Sequence, residues 1–336
     1  MKNLTPVAVA LLLLASSVFA SASGSTYAVG TCRPNLPSFT SVGAALAGVP
    51  AGATILVCPG TYEEAELDIT QPLTLEGVTS GDSAMVLIQL NSPMQFVVNV
   101  MGTGPVNISN IQFGGLPTSG VGIQYLNASG TLNHLTLCSL PTTCPQTSFL
   151  PSEIAVTVND GSSRTVKIEN SSFLVSNSLP AIQTSVSSGT LAVTIQANSI
   201  LGAPTGISIQ GGSATISGNF ISGGGVGIAS SGGATISGNT IVNTSGPGIT
   251  SAAGDSVTSN KLIGNGTAIS ATGTGTFARN MIMNSTVGID MGCNSGVATS
   301  NSFINTGTGF NNVLTSFGTA TNGFFSVPVV KGAICP

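Results

Sequence analysis

Residues 214–233 read ATISGNFISGGGVGIASSGG, residues 234–255 ATISGNTIVNTSGPGITSAAGD, residues 256–275 SVTSNKLIGNGTAISATGTG, and residues 276–295 TFARNMIMNSTVGIDMGCNS. Each unit holds an apolar residue, an Asn three positions later, a second apolar segment, a glycine-rich turn and a Gly-Ile or Ala-Ile pair. The apolar residue that opens each unit falls at Ile108, Leu132, Ile168, Ile195, Ile216, Ile236, Val257, Phe277 and Ala298, and from Ile195 onward the steps are 21, 20, 21, 20 and 21. A second anchor falls at Ile123, Ile182, Ile207, Ile228, Ile249, Ile269, Ile289 and Phe310. Two independent markers that keep one period mean a repeat architecture.

The period alone also fits leucine-rich repeats, but the units lack a leucine scaffold and helical periodicity. They consist of β-branched residues, Ser, Thr and Gly, in runs of three to five between Gly/Asn turns, which favours short strands. The reading is an all-β solenoid with several strands per coil, stacked at the strand spacing of about 4.8 Å. Ile216, Ile221 and Ile228 then lie over Ile236, Ile241 and Ile249 as core columns. Asn219, Asn239, Asn260, Asn280 and Asn301 recur at one place per coil. Asn tolerates left-handed backbone, and its amide can donate and accept along a stack, so these residues are expected to form an inward structural ladder.

Around the repeats the chain is short of charge. Only 5% of its residues are Asp, Glu, Lys or Arg, against about a quarter in ordinary domains, and the net charge is −4. No Lys/Arg cluster exists to neutralise phosphates, which excludes a nucleic-acid surface. Hydrophobic residues make up 41% of the chain and are spread along it, enough for a large core despite 44 glycines. Residues 1–22, with Lys2, the apolar run Val7 to Val18 and Ala20-Ser-Ala22, have the form of a secretory signal peptide. The run is too short for a transmembrane span. A secreted, periplasmic or cell-surface location is therefore expected. Six cysteines suit that compartment, and local context pairs Cys32 with Cys58, Cys138 with Cys144, and Cys293 with Cys335. The proline-rich stretch CSLPTTCPQTSFLP, from Cys138 to Pro151, breaks the repeat as a loop.

Ser38 to Gly77, SFTSVGAALAGVPAGATILVCPGTYEEAELDITQPLTLEG, resembles the opening of pectinesterase-like proteins of the pectin lyase-like superfamily. The resemblance implies a right-handed parallel β-helix with a short capping helix at about residues 41–47, a strand at Ile55–Val57, a turn at Pro59–Tyr62 and a strand at Leu73–Leu75. One domain is expected over residues 23–336, with an N-terminal cap at about 38–60, regular coils at about 105–312 and a C-terminal cap at about 313–336. The catalytic segments of pectinesterases, polygalacturonases and pectate lyases have no match in this sequence, so the resemblance carries the scaffold and not an active site.

Site candidates come from the residues themselves. Paired carboxylates are the signature of glycoside hydrolysis, but in the outward position after the second anchor Asp290 is the single acid. The densest charged patch holds Glu153, Asp160, Arg164, Lys167 and Glu169. Within it Lys167 or Arg164 could neutralise an acidic sugar, with Glu169 as the nearby carboxylate. Glu64, Glu66 and Asp68 are the candidates for a calcium site; no other cofactor or metal is indicated. His134, the one histidine, reads as a structural polar residue. Thr215, Ser217, Thr235, Ser237, Ser256 and Thr258 flank the first anchor and point outward as a hydroxyl-rich face. Three readings follow. The first is a β-helix that binds polysaccharide or acts at the cell surface without catalysis. The second is a divergent polysaccharide lyase, esterase or glycoside hydrolase. The third is a structural, adhesin-like or ice-binding solenoid. The sequence fixes no oligomeric state.

Overall fold

The computed structural model describes residues 24–79, 85–92, 94–102, 104–114, 121–138, 153–175 and 179–335. The expected signal peptide and the Cys138–Pro151 loop with its Cys144 fall outside the described residues, apart from the backbone of Cys138. Among the described residues, three sheets of thirteen, twelve and twelve strands run side by side. Each coil gives one strand to each sheet. Ser213–Ser217, Phe220–Ser222 and Val226–Ser230 make one such coil, and every pairing is parallel.

The columns follow from the strand pattern. In the first sheet Ile108, Leu132, Ile168, Ile195, Ile216, Ile236, Val257, Phe277 and Ala298 are neighbours in register. Leu75 and Ile55 continue the column toward the N-terminus. In the third sheet the second anchors stack in the same way, with one addition: Ile154 stands between Ile123 and Ile182. These side chains are buried and form one continuous core. Strands as short as three residues suffice because only their middle residue must face inward, as in Phe220-Ile221-Ser222.

The Gly-Ile pair at the second anchor has a steric cause. A Cβ on Gly227 would stand 2.4 Å from the carbonyl oxygen of Gly248 and 2.7 Å from Ile241 Cγ2. Coil contacts coil too closely there for a larger side chain.

The corner between the first and second sheets holds the asparagines. Asn239 Oδ1 accepts from the backbone N–H of Asn219 (3.0 Å) and from Asn219 Nδ2 (2.9 Å). Asn239 Nδ2 donates to Ile216 O (2.9 Å) and to Asn260 Oδ1 (3.0 Å). The same bonds repeat through Asn260, Asn280 and Asn301. The ladder is longer than the repeat pattern indicated, beginning at Asn198 and ending at Asn322. From Asn198 to Asn301 the residue just before each ladder position takes a left-handed backbone, either glycine (Gly218, Gly238) or another residue such as Ser259, Arg279 and Ser300.

The N-terminal region is more regular than the resemblance implied. The helix spans Val42–Gly48, with Ser41 Oγ accepting from Ala44 N (3.1 Å). Pro59–Tyr62 is not a simple turn, because Gly60–Glu64 is a strand of the second sheet paired to Val86–Leu90. Stacking therefore starts well before residue 105, at the strands Thr26–Val29 and Ala53–Val57. These early coils lack the Asn corner and the Gly-Ile pair, the two markers of the later units. At the other end the core closes on aromatic rings: Phe303 stacks on Phe324 at 5.1 Å and meets Phe310 edge-on at 4.9 Å. Disulfides Cys32–Cys58 and Cys293–Cys335 lie near the two ends.

Asn239→Ala would leave the buried backbone N–H of Asn219 without its partner and would take one bond each from Asn219 Nδ2, Ile216 O and Asn260 Oδ1, besides opening a cavity in the corner. At roughly 1–3 kcal/mol for a buried unsatisfied group, the expected loss is about 3 kcal/mol or more. Equilibrium denaturation measures it, and exposed Thr274→Ala, outside the ladder and in ordinary backbone geometry, should lie within about 0.5 kcal/mol of the parent.

Candidate functional site

Parallel strands spend their backbone hydrogen bonds on neighbouring coils, so side chains alone define what a sheet face offers. In the first sheet each inward residue is flanked by two outward ones. Thr194, Thr215, Thr235, Ser256 and Thr276 are successive neighbours in one outward column. Gln196, Ser217, Ser237, Thr258 and Ala278 form the other. Thr215, Thr235 and Thr276 are exposed, and Ser217, Ser237, Ser256 and Thr258 are half-buried. The grid spacing is about 4.8 Å between rows and roughly 6.6 Å along a strand.

The grid reaches further than the repeat units where it was read. Toward the N-terminus the first column continues through Lys167, Thr131, Asn107, Thr74 and Thr54, and the second through Glu169, Asn133 and Ser109. Short alternations such as Thr131-Leu-Asn133 and Thr194-Ile-Gln196 are the signal for this extension. Pockets for small molecules are concave, whereas this face is a flat ribbon along the solenoid axis.

The charged candidates are distributed rather than gathered. Lys167 and Glu169 lie in the middle of the grid, two residues apart on the strand Ser163–Glu169 and both outward. Arg164 is on the opposite parity of that strand, and its guanidinium pairs with Asp160 at 3.1 Å. It lines a cleft of about 170 Å³ with Met101, Leu126 and Asn127, away from the grid. Hydrogen bonds from the hydroxyl and the backbone N–H of Ser162, aided by Arg164, hold the Asp160 carboxyl at about 2, below the ordinary aspartate value.

Asp290 lies on the third sheet. Its carboxylate accepts from Gly292 N (2.9 Å), Asn312 Nδ2 (2.9 Å) and Asn311 Nδ2 (3.3 Å), which orders the turn leading to Cys293. Lys167, Arg164, Glu169 and Asp290 are not brought to one point.

Nor are the three acids of the N-terminal region. Glu64 is buried and accepts from Val42 N (2.6 Å) and Gly43 N (3.2 Å), so it caps the helix. Glu66 accepts from Gln95 N and Phe96 N, and Asp68 from Asn99 Nδ2. Among the described residues no three of His, Cys, Asp and Glu gather in a way that could hold a metal ion. His134 occupies the left-handed corner position, with φ of 52°. The sequence pattern did not single out Asp255. It is buried, and its carboxylate accepts from Ser230 Oγ (3.0 Å), Ala234 N (2.8 Å) and Ala252 N (2.8 Å), which pins the corner between the third and first sheets.

The model of a family described as right handed beta helix region matches residues 180–325. The fold is a right-handed parallel β-helix. No curated protein matches the chain. Among solved structures, this β-helix is similar to a PL6-family polysaccharide lyase from Pseudopedobacter saltans, at a TM-score of 0.51 and 14% identity over 82% of this chain and 76% of that one. It is also similar to an alginate lyase from Paenibacillus sp. (TM-score 0.47, 16% identity, 87% and 95% covered) and to a surface adhesin of Streptococcus pneumoniae (0.46, 14%, 87% and 87%). At such identities the likeness concerns the fold. The two disulfides among the described residues suit an extracytoplasmic compartment, and no helix among those residues is long and apolar enough to cross a membrane.

The Asp160 assignment is open to titration. Ser162→Ala removes the strongest of the bonds to the carboxylate, so its midpoint is expected to rise from about 2 toward the ordinary aspartate value of 3.8 in a carboxyl NMR titration. An unmoved midpoint would mean that Ser162 does not hold it.

Proposed function

We propose that this exported β-helix binds an extended polysaccharide along its first sheet, without catalysis. The observation that carries the reading is the two-column grid of outward Thr, Ser, Asn and Gln side chains. Hydroxyl and amide groups both donate and accept, which matches the mixed donor and acceptor character of sugar hydroxyls. A ribbon one coil high per row suits a polymer lying along the axis better than a compact ligand. A rigid scaffold also holds these groups at fixed intervals, so the ordering cost of binding falls mainly on the ligand.

The test is a binding screen against neutral and acidic polysaccharides, with Thr215→Val and Thr235→Val as a pair. Each substitution removes a hydroxyl and keeps the side-chain shape. The pair is expected to weaken binding about tenfold, at roughly 0.5–1.5 kcal/mol per lost hydrogen bond. Unchanged affinity would move the ligand off this face. Release of reducing ends or unsaturated products, abolished by Lys167→Ala or Asp290→Ala, would reject the non-catalytic part.

One feature favours a second reading. The hydroxyls form a flat lattice of constant spacing, which can order water as readily as it can bind sugars. Thermal hysteresis in cold solution, lost in Thr215→Val with Thr235→Val, would establish it.

A further inference from the structure

The outward face of the second sheet differs in kind from the hydroxyl grid. Its later strands have three residues with the middle one inward, so the first and third stand outside. From Leu201 the third positions are Leu201, Val242, Ile263, Met283, Ile304 and Phe325, neighbours in register and interrupted once by Ser222. Phe220 and Met281 add to the first positions. Leu201, Phe220, Met281 and Phe325 are 37%, 43%, 42% and 70% exposed, and Val242, Ile263, Met283 and Ile304 between them are half-buried. The coil itself requires an apolar residue only at the middle position, and the first sheet fills its equivalent outward positions with hydroxyls. The apolar stripe therefore serves something outside the coil, as contiguous exposed apolar patches do.

We propose that this stripe packs against the same stripe of a second copy of the chain. Three observations select that occupant. The rows recur at the strand spacing of about 4.8 Å, and a second copy brings ridges at the same interval, so side chains can interdigitate along the whole length. The second observation is charge. Among the outward positions of these seven strands Lys261 is the single charged residue. It is at a first position beside the corner, where its long stem can carry the ammonium out to water. Two stripes thus meet without like charges across the middle. The third is area. Seven rows make a face about 34 Å long, and three-residue strands make it about 10 Å wide, so two faces bury on the order of 700 Å², the size of a weak, reversible contact. A self-complementary patch of this kind closes as a two-fold dimer, with both hydroxyl grids left outside. The inference does not rest on polysaccharide binding.

Sedimentation equilibrium of the disulfide-bonded protein up to about 300 µM is the test, with a monomer–dimer equilibrium in the micromolar range expected. Ile263→Glu and Met283→Glu should each weaken association at least about tenfold, while Thr235→Glu on the hydroxyl grid should not. Wild-type protein that stays monomeric throughout would overturn the proposal, and so would undiminished association in both Glu variants. Protein that is monomeric in buffer but floats with phosphatidylcholine vesicles would assign the stripe to lipid and overturn it equally. Should the variants fail to fold, amide exchange of the wild type decides. Protection at 240–242 and 261–263 should rise with concentration, and protection independent of concentration would refute the dimer.

Discussion

A parallel β-helix turns three corners per coil, and every corner takes backbone amides out of the sheet ladders. In this chain the corner between the first and second sheets is buried, and buried amides without partners are costly. The asparagine stack resolves that constraint. Each side chain accepts from the coil before it, and donates to a carbonyl of that coil and to the asparagine of the next. Once this corner is fixed, the strand that leaves it begins in register. The inward columns of Ile, Val and Phe then follow from the length of the coil, which is why the period holds to within one residue from Ile195 to Ala298.

The residues that meet this constraint were the most legible part of the sequence. Asn219 through Asn301 and the two series of apolar anchors repeat at one interval, and a repeated signal is hard to mistake. The fold class followed from them, and the first-sheet columns stand as the spacing indicated. Ile154 was missed because the long proline-rich insertion stretches its coil and no glycine precedes it. The early coils were taken for a cap because Ala53–Val57 and Leu73–Gly77 stack through plain alternation, without Asn corners. The strand Gly60–Glu64 was hidden by a Pro-Gly pair, which reads locally as a turn although neighbouring strands override that preference.

Function was less legible for a physical reason. In a solenoid the inward positions are constrained by stacking, but the outward ones answer only to what lies outside. Their pattern is visible as Thr-x-Ser in one sheet and as an apolar third strand residue in another, yet neither pattern names a ligand. The charged candidates illustrate the same limit. Arg164 and Lys167 are three residues apart in sequence, but the two-residue period of a strand sends them to different surfaces. Asp290 is an acid that the third sheet uses to hold a turn. Glu64, beside two other acids in sequence, turns inward to cap a helix.

The placement of the disulfides bears on how the molecule comes apart. A stack in which each coil touches only its neighbours would ordinarily fray from its termini, where a coil has one neighbour instead of two. Here Cys32–Cys58 ties the first coils together, and Cys293–Cys335 ties the last across 42 residues of sequence. With both extremities fastened, opening is easiest in the interior, away from either bond. Proteases or mechanical load would then divide the rod near its middle and leave two fastened halves.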